Sequence, residues 1–123
     1  MTQLRGVVVA HGALAPALIG AVEQIAGTDT GLVAVSNIDC DRGTLEDRLF
    51  AAVGGVPAIV FIDMPSGSCL FAAMRRLRTT DGVRVVTGVN LAMLLEFVFH
   101  RDGTPDAVAE HVAAVGARAV VAR

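Results

Sequence analysis

Apolar residues fall along this chain in short bursts of two alternating kinds. Runs such as Val7-Val8-Val9-Ala10 and Ile59-Val60-Phe61-Ile62 are unbroken hydrocarbon. Runs of that length without polar alternation suit strands buried on both faces, as in a parallel sheet. Between them, apolar positions recur at helical spacing: Leu14, Leu18, Ile19, Val22 and Ile25, then Leu45, Leu49, Phe50 and Val53. The pattern predicts strands at 5–10, 32–35 (running on towards 38), 57–62, 83–87 and 117–122, and helices at 13–26, 44–53, 69–78, 91–100 and 105–115. Punctuation agrees with these limits. Gly27 and Gly54-Gly55 suit helix ends, and Gly116 reads as a stop for the last helix. Asn90 and Thr104 suit N-caps, with Pro105 in the first helical position. Strict strand–helix repetition implies an α/β fold with a doubly wound, mainly parallel central sheet and helices on both faces. The final strand has the weakest pattern and is expected at an antiparallel edge, or paired outside its own chain.

Composition narrows the function. The 123 residues suit one domain, 1–123. At 54% apolar the chain can build a core without staples, yet no stretch approaches the ~20 residues a bilayer span needs. Residues 1–5 lead directly into the first strand without a signal-peptide apolar region, so a cytoplasmic protein with no membrane insertion is expected. A net charge of −2, from ten arginines, no lysine and twelve acids, argues against a nucleic-acid surface. Arg75, Arg76 and Arg78 cluster on one helix, where a solvated face and a docking surface for an acidic or phosphorylated partner are both open readings. Cys40 and Cys69 lack metal-type spacing and read as free thiols. His100 and His111 read as surface residues of late helices, again without metal spacing, and no cofactor is expected.

Two strands end in polar residues after pure hydrocarbon. The first ends in His11 and the third in Asp63. Open α/β sheets hold their ligand sites beyond the carboxyl ends of the strands. If these two strands are neighbours, Asp63 can bind the Nδ1–H of His11, fix its tautomer and leave the Nε2 lone pair outward, which makes a nucleophile or base with an orienting partner. The structural alternatives are a strand-ending histidine and a turn-forming aspartate. Ser66-Gly67-Ser68 then leads into a helix, whose free amides and serine hydroxyl would suit a phosphoryl group; the alternative is an ordinary serine-capped helix. A P-loop is excluded because it needs a lysine, and no G-x-G-x-x-G or G-x-S-x-G occurs. A receiver-type phosphoacceptor Asp63 lacks the acids and lysine it would require. A Ser68-His11-Asp63 hydrolase is compositionally conceivable.

Three segments together resemble the IIA component of the mannose-family phosphoenolpyruvate-dependent sugar phosphotransferase system (PTS). They are Val7-Val8-Val9-Ala10-His11-Gly12, Phe61-Ile62-Asp63-Met64-Pro65-Ser66-Gly67-Ser68 and Gly88-Val89-Asn90-Leu91-Ala92-Met93-Leu94-Leu95-Glu96, in matching order and spacing. The resemblance implies a phosphotransferase acting through phosphohistidine. His11 would accept the phosphoryl group from phospho-HPr, Asp63 would orient and charge-stabilise the imidazole, and Ser68 with Gly67 and neighbouring amides would hold the phosphoryl oxygens. The group would pass to a IIB component, on a separate chain here. It also implies a homodimer in which the C-terminal strand crosses to the partner. Ser66 replaces the first glycine of the family's Gly-Gly-Ser, and Cys69-Leu70-Phe71 replaces the Pro-Phe-Asn that often follows. These departures fall on the partner-facing rim. A regulatory module reporting the phosphorylation state of His11 would need the same residues.

Overall fold

A computed structural model describes residues 3–123. Four strands and five helices follow one another as β1 (Arg5–Ala10), α1 (Leu14–Ala26), β2 (Leu32–Ser36), α2 (Arg42–Val53), β3 (Ala58–Ile62), α3 (Ser68–Leu77), β4 (Val83–Thr87), α4 (Leu91–Phe99) and α5 (Pro105–Arg118). The strands form one sheet in the order β2-β1-β3-β4, with every pairing parallel. Residues 1–2, at the head of the N-terminal stretch, lie outside the described residues. Among the described residues no helix is long and apolar enough to cross a membrane.

The unbroken hydrocarbon of the inner strands is explained by their burial on both sides. All five residues of β3, and every residue of β1 after Arg5, are buried. Their alternate side chains feed two separate cores. Val8, Ala10, Ile59 and Phe61 face a layer built from α1, α4 and α5, where Phe61 meets Phe97 edge-on at 5.2 Å. Val7, Val9, Val60 and Ile62 face the layer of α2 and α3, with Leu45, Leu49, Ala72 and Ala73. Removing several methyl groups from either core, as in Phe61→Ala or Leu49→Ala, should cost about 2–5 kcal/mol.

The C-terminus departs from the sequence reading. No strand forms within the chain at 117–122; α5 runs through Gly116 to Arg118, and residues 119–123 follow it exposed and without regular structure. Gly116 was expected to stop the helix, but it serves packing instead. It is buried against α4, where an added Cβ would stand 2.6 Å from Met93 Cε, and its carbonyl accepts a hydrogen bond from Asn90 Nδ2 at 3.0 Å. The missing side chain lets α4 and α5 close on each other.

The other helix limits differ by small, explicable amounts. Asp41 caps α2 by accepting from Thr44 N–H at 2.8 Å, so the helix starts at Arg42, two residues before the 44 expected from the apolar spacing. Asn90 and Thr104 cap α4 and α5 as the sequence implies, accepting from Met93 N–H and Ala107 N–H.

Candidate functional site

In the strand order, β1 connects outward to β2 on one side, while β3 and β4 lie on the other. The gap beyond the ends of β1 and β3 is therefore the switch point of the sheet, where such folds bind ligands. Register places Val9 beside Ile62, so the chain leaves the two strands at neighbouring points, through His11 and Asp63.

His11 is fixed by backbone as well as side chain. Its N–H donates to Asp63 Oδ2 at 2.9 Å, and its ring Nδ1 lies 2.7 Å from the same oxygen. Gly12, which turns the chain at φ +60°, is pinned from the end of β2: its N–H donates to Asn37 Oδ1 at 3.1 Å and its carbonyl accepts from Ser36 Oγ at 2.8 Å. Ser36 and Asn37 carried no signal in the sequence, because their role depends on β2 lying beside β1. The Asp63 side chain is only 11% exposed, against 41% for His11. Burial is the largest influence on the Asp63 carboxyl and pushes its pKa up. The hydrogen bonds from His11 N–H and from the imidazole, with the imidazole's charge, outweigh it and hold the carboxyl below the usual aspartate range. Asp63 is thus ionised at neutral pH. In the neutral ring its partner Nδ1 is then the nitrogen that carries the proton, and Nε2 the one that keeps its lone pair. The other carboxylate oxygen, Oδ1, is buried with no hydrogen-bond partner, so the hydrogen bonds from His11 to this carboxylate both fall on Oδ2.

The loop beyond Asp63 brings the start of α3 to the exposed edge of the ring. Ser68 is the first residue of α3 and not its cap; Gly67 holds the cap position and no side chain caps the helix. The serine hydroxyl points instead at His11, with Oγ 3.4 Å from Nε2. The first helical hydrogen bond runs from Phe71 N–H to Gly67 O, so the amides of Ser68, Cys69 and Leu70 stand before the ladder begins. A hydroxyl, a helix N-terminus and an imidazole nitrogen thus meet at one place, a combination that favours an anion. The contacts also run Asp63–His11–Ser68 in the order of a hydrolase triad, at the outer limit of hydrogen bonding between His11 and Ser68.

Gly67 adopts φ +94° and ψ −175°, a region that residues with a side chain avoid. An added Cβ would stand 3.6 Å from His11 Cε1 and 3.7 Å from Nε2. Gly67→Ala should therefore cost about 1–3 kcal/mol in backbone strain. The added methyl would also lie in van der Waals contact with the ring at Nε2 and take space that a group bound there would need, so that any chemistry at Nε2 should slow more than the loss of stability explains. Urea unfolding alongside a rate measurement on the folded protein separates the two effects.

Cys69 lies closer to the site than its sequence position suggested. Its Sγ is buried 3.8 Å from His11 Nδ1. Burial, then the Asp63 charge, pushes the thiol up to about 11, so it keeps its proton and is no nucleophile at neutral pH. His11, Asp63 and Cys69 do bring one donor atom each within 4.8 Å of one another. A protonated buried thiol and a carboxylate already bound to the ring fit an oriented imidazole better than a metal centre.

Arg75 and Arg76 do not reach the anion-binding corner. Arg75 Nε lies 3.6 Å from Glu46 Oε1, and the Arg76 guanidinium stacks 4.0 Å from the centre of the Phe50 ring. Both line a groove between α2 and α3, with Phe71 and Met74, that begins at Ser66 and Gly67. The Gly88-Val89-Asn90 segment also stays off the imidazole. Val89 N–H donates to Ile62 O at 3.0 Å and Asn90 joins α4 to α5, so the segment braces the end of β3 just before Asp63.

Comparison with known proteins places the chain and its fold in one family. The family model described as EIIA-man, PTS system fructose IIA component, matches residues 6–115. No curated protein matches the chain. Among solved structures, the mannose/sorbose specific IIA subunit of the phosphotransferase system from Enterococcus faecalis is 28% identical, with a TM-score of 0.85, covering 99% of this chain and 96% of that one. Phosphotransferase system component EIIA from Streptococcus agalactiae is 22% identical, with a TM-score of 0.89 and coverage of 97% and 96%. A sigma-54 interaction domain protein from Enterococcus faecalis, 13% identical with a TM-score of 0.75 and coverage of 96% and 93%, shares the fold alone.

Proposed function

Because the chain belongs to the PTS system fructose IIA component family, we propose that it is a histidine phosphocarrier, with residues 1–123 acting as one cytoplasmic IIA domain and His11 Nε2 as the atom that carries the phosphoryl group. The observation that carries this reading is the 2.7 Å contact between His11 Nδ1 and Asp63 Oδ2, which in the neutral ring sets the lone pair on Nε2, beside the start of α3. The Nε2 lone pair forms an N–P bond as the P–N bond to the donor histidine of phospho-HPr breaks, and the departing imidazole recovers its electron pair. Asp63 balances the positive charge that the phosphorylated ring acquires. Ser68 Oγ and the first amides of α3 bind the phosphoryl oxygens, and Gly67 keeps the space above Nε2 open. The same steps run forward to a histidine of a IIB protein. A histidine–phosphate bond is well suited to this, because a nucleophile with a good leaving tendency splits one transfer into two easier ones.

The groove lined by Phe71, Met74 and Arg76 adjoins Gly67 and offers the docking protein an apolar and basic face. Residues 119–123, with Val120 and Val121 exposed, are free to pair with a second copy in a homodimer.

Incubation with phosphoenolpyruvate, enzyme I and HPr should give one acid-labile, alkali-stable phosphate per chain, dischargeable to a IIB protein. Absence of labelling with active partners contradicts the proposal. The triad-like order of Asp63, His11 and Ser68 supplies a second reading, acyl transfer through Ser68. Stoichiometric labelling of Ser68 by a serine-directed acylating probe would favour it over phosphoryl transfer; the phosphocarrier reading expects no such labelling.

A further inference from the structure

At the opposite edge of the sheet the fold assembles a second group of chemically capable side chains, and it lies outside the phosphoryl site. Glu96 stands in the last turn of α4, His100 follows one turn later, and His111 comes across from α5. The adjoining Arg101 is tied to the start of β1: its carbonyl accepts from Leu4 N–H, and its Nε donates to Leu4 O. His11 follows the other end of the same strand, so roughly 20 Å of β1 separates the two clusters.

We propose that Glu96, His100 and His111 form a binding site for a divalent transition-metal ion of the zinc type. The geometry brings three donors to one place, although His100 Nδ1 also lies 3.0 Å from the Glu96 carbonyl oxygen, a contact that an ion would have to displace. Glu96 Oε2 lies 2.6 Å from His111 Nε2 and 3.0 Å from His100 Nδ1, and all three donor atoms lie within 4.8 Å of one another. An ion bonded at about 2.0–2.2 Å to each donor needs them roughly 3.4 Å apart in tetrahedral geometry. The two distances from Glu96 Oε2 fall short of that value by less than 1 Å, so side-chain rotation that opens them suffices and the backbone can stay where it is. The two rings are tilted by 54° with centres 5.2 Å apart, which leaves their nitrogen edges convergent and not stacked face to face.

The donor set also selects the ion. Two imidazoles and one carboxylate suit zinc, nickel, copper or cobalt, whereas magnesium and calcium require oxygen-rich shells. Glu96 Oε2 already faces both imidazole nitrogens, and Arg118 lies near enough to act on its charge. Arg118 opposes a dication, while Asp102, lining the same hollow as the two imidazoles, favours one. The imidazole side chains are 55% and 47% exposed, so an ion held there would keep outward positions for water or for a ligand from another molecule. This arrangement is an open coordination site, not a closed structural one.

The test is calorimetric titration of the full chain with zinc chloride, repeated with cobalt chloride for its visible absorption. Wild-type protein and His11→Gln protein should each bind one equivalent saturably. Either His100→Gln or His111→Gln should weaken binding about tenfold or more, and the double variant should abolish it. Both imidazoles are exposed, so circular dichroism of the double variant should match wild type. Should that variant fail to fold, imidazole ¹⁵N spectra of wild-type protein decide: zinc should shift His100 and His111 and leave His11 in place. Non-saturable binding, full binding by the folded double variant, or loss of binding on His11→Gln would each overturn the proposal. The last result would place the ion in the phosphoryl site.

Discussion

His11→Gln is expected to abolish phosphoryl acceptance while leaving the fold standing. The glutamine side chain can reach towards Asp63, but its amide nitrogen has no nucleophilic lone pair, so no N–P bond can form. The structural loss is small because half of the His11–Asp63 link belongs to the backbone. The His11 N–H donates to Asp63 Oδ2 whatever the side chain. The substitution changes neither the Gly12 contacts with Ser36 and Asn37 nor the buried strand before it. Labelling with phosphoenolpyruvate, enzyme I and HPr should fall to background, with a midpoint of urea unfolding near that of wild type. Undiminished labelling of a well-folded His11→Gln protein would show that the phosphate sits elsewhere.

Asp63→Asn should slow phosphoryl acceptance by about 10²-fold or more, judging from the loss of comparable orienting carboxylates. Two effects act together. The amide cannot balance the charge on a phosphorylated imidazole. If its oxygen keeps the two bonds from His11, its NH2 group takes the buried position where Asp63 Oδ1 has no partner. That leaves donors unsatisfied, at a cost of about 1–3 kcal/mol. The pH dependence gives a second, independent readout. The folded-state pKa of Asp63 lies below the ordinary value of 3.8. Its ionisation therefore adds stability that is fully present above the unfolded value and is lost as pH falls through the folded one. Below about pH 5, the stability gap between wild type and Asp63→Asn should shrink as pH falls through about 4 and lower. A gap that widens on acidification would contradict the depressed pKa.

Much of this was legible in the chain because its signals are local. Runs of four or five residues of pure hydrocarbon are best satisfied where both faces are covered, and β1 and β3 are the two inner strands. A polar residue after such a run must emerge at the sheet's rim, which is why the sequence itself pairs His11 with Asp63 once their strands are neighbours. Asn90 and Thr104 cap their own helices by contacts three residues away, again a local matter.

What escaped the sequence depends on contacts between distant elements. Gly116 looks like a helix stop until α4 is seen packed against it. Ser68 looks like a helix cap until its hydroxyl is found pointing at an imidazole 57 positions earlier. Ser36 and Asn37 hold Gly12 only because β2 pairs with β1. Cys69 looked like an ordinary free thiol, and its burial against His11 follows from the path of the loop after β3. His100 and His111 stand 11 positions apart, outside any metal-type spacing, and only the packing of α4 on α5 sets both on the carboxylate of Glu96. The tail at 117–122 has strand-like residues, yet within one chain the helix continues to Arg118 and no neighbouring strand receives it.

The central claim is that Asp63 holds the Nδ1 proton of His11 so that Nε2 takes the phosphoryl group. Long-range ¹H–¹⁵N spectra of the phosphorylated protein, labelled in its histidines, test it most directly. Phosphorus coupling and the large ¹⁵N shift should appear at His11 Nε2, with Nδ1 still protonated. Phosphate found on Nδ1, or on any residue other than His11, would contradict the account.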